Sequence, residues 1–177
     1  MVIKDFREEQ INSNIIHKGK ILNLLVDTVR LPSGKEAVRE MVQHNGGVTI
    51  IAQPTPDKVV LVKQFRYSIR RAILELPAGR LNVNEDPVFG AKRELKEECG
   101  FIANSLESLG VVYPAPGYSS EVLYFFKATD LIEDEASPDD DEHLEVKIID
   151  LKQAWQMVKD GEIRDAKTIA GLSLVRF

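Results

Sequence analysis

The sequence has little of several residue types whose presence would point to particular roles. It holds one cysteine, Cys99, which excludes an intrachain disulfide and a cysteine-rich zinc site. Cys99 is expected to pack rather than react. There is no long basic run, and the net charge is -5. Non-specific nucleic-acid binding needs a cationic footprint, so no nucleic-acid partner is expected. Small phosphate ligands stay open, because a metal can supply the positive charge. No apolar stretch is long enough to span a bilayer, so no membrane partner is expected either. Met1 to Glu9 is charged and has no apolar signal core, which makes a cytoplasmic location the expectation. Internal repeats and low-complexity linkers are also missing. A chain of 177 residues with 44% hydrophobic and 29% charged content has the make-up of an ordinary globular domain with a real core.

What is there begins with strand material. Gln10 to Arg30 is rich in Ile, Leu and Val, and His17-Lys18-Gly19-Lys20 breaks it as a turn. Leu31-Pro32-Ser33-Gly34-Lys35 is a second turn, Ala37 to His44 a strand, and Asn45-Gly46-Gly47 closes it. Val48–Ala52 and Val59–Phe65 read as two buried strands of one hairpin. Ile73 to Leu76, Leu106 to Tyr113, Val122 to Ala128 and Val146 to Ile149 are further strands. Asp150 caps a helix running to about Asp160, with Gly161 as its stop, and Asp165 caps a last helix. Trp155 is expected in the core. Strands, a helix, strands and then helices give an α/β or α+β fold with a mixed sheet.

The most informative stretch is Gly79 to Phe101, a loop followed by a helix. Asp86 is placed as the cap, Pro87 as the first helical residue and Gly100 as the left-handed stop. Val88, Ala91, Leu95 and Cys99 recur at helical spacing and form an apolar face. Glu94, Glu97 and Glu98 lie three and four residues apart, so their carboxylates gather on one side of the last turns. Like charges there repel and oppose the helix dipole, at a cost of only a few tenths of a kcal/mol. A solvated face explains them as well as a cation site does on spacing alone. A hard divalent cation would convert the repulsion into a site.

Gly79, five residues, Glu85, seven residues, then Arg93-Glu94-Leu95-Lys96-Glu97-Glu98-Cys99-Gly100-Phe101 matches every fixed position of the Nudix box. The chain therefore resembles the Nudix hydrolases, which cleave a nucleoside diphosphate linked to another group. Phe101 departs mildly from the commoner aliphatic residue. The resemblance implies an α/β/α sandwich with a mixed sheet over residues 47–177, preceded by a β-rich arm at 1–46 that pairs two copies in a homodimer. It implies Mg²⁺, with Mn²⁺ as the other candidate, held by Glu94 and Glu98 with Glu97 sharing the site and the Ala78 carbonyl as a further ligand. Gly79, Glu85 and Arg93 would support the site, the last two as an ion pair.

Outside the box the resemblance narrows to the ADP-ribose subfamily. Val62-Lys63-Gln64-Phe65-Arg66-Tyr67 and Glu75-Leu76-Pro77-Ala78-Gly79 match it, which makes Arg66 a substrate contact, with Arg39 as another. Pro116 lies fifteen residues after Phe101, and Pro116-Gly117 with Glu121 in the loop from Tyr113 repeats that subfamily's pattern. The acidic run from Asp134 to Glu145 corresponds to a mobile loop that delivers the catalytic base. Alignment on Leu144-Glu145-Val146 puts the two functional positions at Asp140 and Glu142. Asp140 is a departure, since a glutamate is usual there, so Glu142 is the first choice for the base. Glu97 completes the catalytic set, and His143 is a weaker candidate. The implied reaction is hydrolysis of ADP-ribose to AMP and ribose 5-phosphate. Another nucleoside diphosphate sugar, or a non-catalytic nucleotide-binding module, is the alternative.

Overall fold

The computed structural model describes residues 5–137 and 143–175. Its elements in chain order are β1 (Glu9–Lys18), β2 (Asn23–Arg30), β3 (Glu36–Gln43), β4 (Gly47–Ala52), β5 (Lys58–Arg66), β6 (Arg71–Glu75), β7 (Ala78–Arg80), α1 (Pro87–Cys99), β8 (Phe101–Val112), β9 (Leu123–Glu133), β10 (Leu144–Asp150), α2 (Leu151–Lys159) and α3 (Ala166–Leu174). They fall into two units. One comprises Met1–Asn45 with Tyr113–Glu121, the other Gly46–Val112 with Val122–Phe177.

The first unit is a three-stranded antiparallel sheet in the order β1-β2-β3. Every residue of β1 is exposed. Strand β2 alternates, burying Leu25, Asp27 and Val29. The Tyr113–Glu121 segment joins β3 through Val42 N–H to the Tyr118 carbonyl at 2.7 Å and Ser120 N–H to the Val42 carbonyl at 2.9 Å.

The second unit holds two sheets, β7-β4-β9-β8 and β10-β5-β6. Strands β4 and β9 run parallel and the other pairs antiparallel, so the first sheet is mixed. The apolar runs are continuous because β4 and β5 are covered on both faces. Val48, Ile50, Ala52, Val60 and Val62 join Ala91, Leu95 and Cys99 of α1 in one core. Ile51, Val59 and Leu61 join Leu151 and Ala154 of α2 and Leu172 of α3 in another. The result is helix, sheet layer, helix, as expected for an α/β/α sandwich. One expectation fails: β4 and β5 do not form a hairpin, since β4 pairs with β7 and β9 and β5 with β10 and β6. Two strands buried on both faces carry no pattern that names their neighbours.

Local signals fare better. The Asp86 side chain accepts from Val88 N–H at 2.8 Å and Gly100 is left-handed at φ 67°. Asp165 caps α3 by accepting from Thr168 N–H at 3.0 Å. Asp150 stands at the start of α2 but makes no cap bond, because its carboxylate pairs with Lys58 at 3.0 Å. Val88, expected on the apolar face of α1, is exposed. Trp155 packs against the core shared by α2 and α3. Among the described residues, no helix is long and apolar enough to cross a membrane.

Candidate active site

The site grows from the segment joining β6 to β7 and from the inner face of α1. Two acids of α1 are buried, Glu94 at 9% exposure and Glu98 at 4%. A carboxylate this buried costs free energy unless partners compensate it. Glu98 accepts from Ala78 N–H at 3.0 Å. Gly79 lies against Glu94, and a Cβ there would land inside the Glu94 carboxylate. Glycine is therefore required by close approach rather than by its torsion angles.

Arg93 is the hub of the helix. Its Nε and Nη2 donate to the two oxygens of Glu85, both at 2.9 Å, in a bidentate fork. Its Nη1 reaches Glu94 at 2.8 Å and Glu97 at 3.0 Å, and Nη2 also donates to the Arg80 carbonyl at 3.2 Å. Glu85 accepts from Asn82 N–H at 2.8 Å as well. The Arg93 guanidinium, aided by that N–H, holds the Glu85 carboxyl down to about 2. Arg93 is in turn pushed up, first by Glu85 and then by Glu94 and Glu97. Burial pushes the Cys99 thiol up, which fits a packed rather than reactive cysteine.

A second cluster lies at the end of β6. Glu75 is 1% exposed, and Arg66 grips it with Nε and Nη2 at 2.7 and 2.9 Å. Lys167 of α3 also donates to Glu75. Hydrogen bonding to Glu75 raises the Arg66 pKa, and the negative charges of Glu75, Glu98 and Asp165 act in the same direction. Sequence reasoning named Arg66 but gave no role to Glu75 or Lys167. A lone acid in the apolar run Ile73-Leu74-Glu75-Leu76 was a usable signal for Glu75. Nothing local marks Lys167.

Four expected substrate residues belong to the first unit. Arg39 is paired with Glu8, its Nε donating at 2.9 Å. Pro116 and Gly117 are exposed in the Tyr113–Glu121 loop. Glu121 stands 3.7 Å from Nδ1 of His44, a pairing that no local pattern marks. Asp140 and Glu142 lie outside the described residues; His143 is exposed.

Among the described residues, no three acidic, cysteine or histidine side chains already surround one point as metal ligands. The chemistry of the donors nevertheless fits a hard divalent cation. Glu94, Glu97 and Glu98 offer carboxylate oxygens, two of them from buried side chains, beside the backbone of Ala78 and Gly79. One guanidinium serves Glu85, Glu94 and Glu97 together.

Comparison with known proteins decides the family. The NUDIX domain model matches residues 43–172. The chain belongs to the Nudix family. Nudix hydrolases work with divalent metal ions, in keeping with the acids of α1. Residues 8–42 match the nucleoside diphosphate sugar hydrolase N-terminal domain. An ADP-ribose pyrophosphatase of Bacillus subtilis (strain 168) is 39% identical over 94% of this chain and 91% of its own length. A methanol dehydrogenase activator of Bacillus methanolicus is 35% identical over 98% of this chain and 95% of its own length. A solved ADP compounds hydrolase shares the Nudix fold with a TM-score of 0.86, at 24% identity, over 98% of this chain and 95% of that one.

Proposed function

We propose that the protein hydrolyses the pyrophosphate of ADP-ribose to AMP and ribose 5-phosphate in the presence of Mg²⁺, with Mn²⁺ as a substitute. The observation that carries this reading is the pair of buried acids, Glu94 and Glu98, packed against Ala78 and Gly79. It stands in a chain similar over 94% of its length to an ADP-ribose pyrophosphatase. Glu94, Glu97, Glu98 and the Ala78 carbonyl would hold the cation. That ion supplies positive charge where negative charge builds up on the phosphorus being attacked.

The chain's own residues do the rest. Glu85 fixes the Arg93 guanidinium, and Arg93 fixes Glu94 and Glu97 relative to the loop at Arg80. Arg66 presents a guanidinium oriented by Glu75 to the diphosphate. Arg39, Pro116, Gly117 and Glu121 contribute the remaining substrate contacts. The acidic loop supplies a carboxylate, Glu142 ahead of Asp140, that takes the proton from the attacking water. Exposed Ile11, Ile15 and Ile16 on β1 support a homodimer through the arm.

The match of residues 8–42 favours a second reading, the same chemistry on another nucleoside diphosphate sugar. Product release with Mg²⁺ across a panel of ADP-ribose, other ADP-sugars and sugars of other nucleoside diphosphates separates the two. ADP-ribose is expected to have the highest kcat/KM, with AMP as product. A higher value on a non-adenine substrate overturns the first reading. No turnover on any member of the panel leaves a binding module. Light scattering of the same preparation is expected to give a dimer, and a fully active monomer removes that assignment.

A further inference from the structure

The Glu75 cluster extends beyond any residue that the Nudix box contains. The Glu75 carboxylate is shared between two cations, Arg66 at the end of β5 and Lys167 in the first turn of α3. Lys167 is itself held by Asp165 at 2.9 Å. Asp165 also accepts from the Thr168 hydroxyl at 2.6 Å, and that hydroxyl accepts from Leu76 N–H at 2.8 Å. The start of α3 thus grips both the side chain of Glu75 and the backbone of the next residue. Leu76 leads directly into Pro77, Ala78 and Gly79, against which Glu98 and Glu94 pack.

The grip has a use. Lys167, itself held by Asp165, fixes the Glu75 carboxylate, and that carboxylate holds the Arg66 guanidinium in one orientation through a two-point fork. Its Nη1 makes no hydrogen bond among the described residues, whereas Nε and Nη2 are committed to Glu75. Nη1 is therefore the nitrogen left to meet a phosphate oxygen.

We infer that Lys167 is a positioning residue for the diphosphate, acting through Glu75 to keep Arg66 oriented. This rests on the reading that Arg66 touches the substrate. Lys167 is not a catalytic residue, since it meets Glu75 and Asp165 rather than the reacting atoms.

The test is a double-mutant cycle on the full chain with ADP-ribose and saturating Mg²⁺. Arg66→Ala is expected to raise KM by at least about tenfold. Lys167→Met should raise KM about fivefold with kcat within about twofold, and Lys167→Arg should restore KM. In the Arg66→Ala background, Lys167→Met should add nothing, because its effect passes through the missing arginine. If Lys167→Met does not fold, Lys167→Gln enters the same cycle. A KM unmoved by Lys167→Met or its Gln substitute, or effects that multiply independently, overturns the inference while Arg66 keeps its role. A fall in kcat alone marks a merely structural lysine and overturns it too. If Arg66→Ala leaves KM unchanged, the substrate role of Arg66 fails by a result that no Lys167 variant enters, and the inference fails with it.

Discussion

Two charge clusters sit within the same unit and are built on opposite principles. Around Arg93, one guanidinium meets three carboxylates, Glu85, Glu94 and Glu97, while Glu98 is buried on the same helix. Around Glu75, two cations, Arg66 and Lys167, meet two acids, Glu75 and Asp165. The first sets three carboxylates against one guanidinium and is unbalanced in that sense, and the second matches acids and cations one for one. Crowded carboxylates repel, and a divalent cation would relieve that repulsion. A one-for-one arrangement fixes geometry. On the proposed reading, the acids of the first cluster would hold a cation and those of the second orient Arg66 and Lys167.

The largest effect on stability is expected in the balanced cluster. Glu75→Gln leaves Arg66 and Lys167 without their shared counter-charge and should lower unfolding free energy by about 3 kcal/mol, the usual size for breaking a buried pair. Denaturant titration measures it. Wild-type stability in that variant would break the comparison.

In the unbalanced cluster, stability and activity are expected to part company. Glu98→Gln keeps an oxygen to accept from Ala78 N–H but removes a charge from an acidic group. It should lower kcat/KM by at least about a hundredfold. The melting temperature without added metal should be unchanged or higher. Near wild-type turnover at saturating Mg²⁺, or a large loss of stability, would place Glu98 with the structural acids.

The smallest effect concerns Glu85, which meets Arg93 with both carboxylate oxygens. Its pKa is about 2 when folded, against an ordinary 4.5. A depressed carboxyl stabilises the fold above its unfolded value and loses that contribution as pH falls through its folded value. The Glu85 contribution should therefore disappear between about pH 4.5 and 2. Melting temperature measured across this window should fall less steeply in Glu85→Gln than in the wild type. Equal slopes would mean that the Arg93 fork adds nothing to folding.

Much of the first cluster was legible beforehand. Helical spacing brought Glu94, Glu97 and Glu98 together, and Asp86 and Gly100 marked the ends of α1 where the structure has them. The Glu85–Arg93 ion pair followed from the box pattern and is present as a bidentate fork. What spacing left undecided was which glutamates are buried. Glu94 and Glu98 turn inward, while Glu97 is half-exposed. That depends on which side of α1 meets the sheet. Cap chemistry was legible at Asp165 but misleading at Asp150, because Lys58 competes for the same carboxylate from another strand. The second cluster was barely legible. Arg66 was named by resemblance, and its buried partner was seen only as part of a motif.

The sequence by itself determined α1, its caps and its acidic side, while Gly79, read as loop, lies in strand β7. These depend on residues within a few positions of one another, where a 3.6-residue period and one capping oxygen are enough. Only the tertiary structure decided that β4 pairs with β7 and β9 rather than with β5. It alone brought Lys167 to Glu75 across 92 residues of chain. A strand buried on both faces looks alike beside any neighbour, and a lysine carries no local mark of the carboxylate it will meet. Those choices are made when the sheets and helices pack together, and every buried charge must then find its partner.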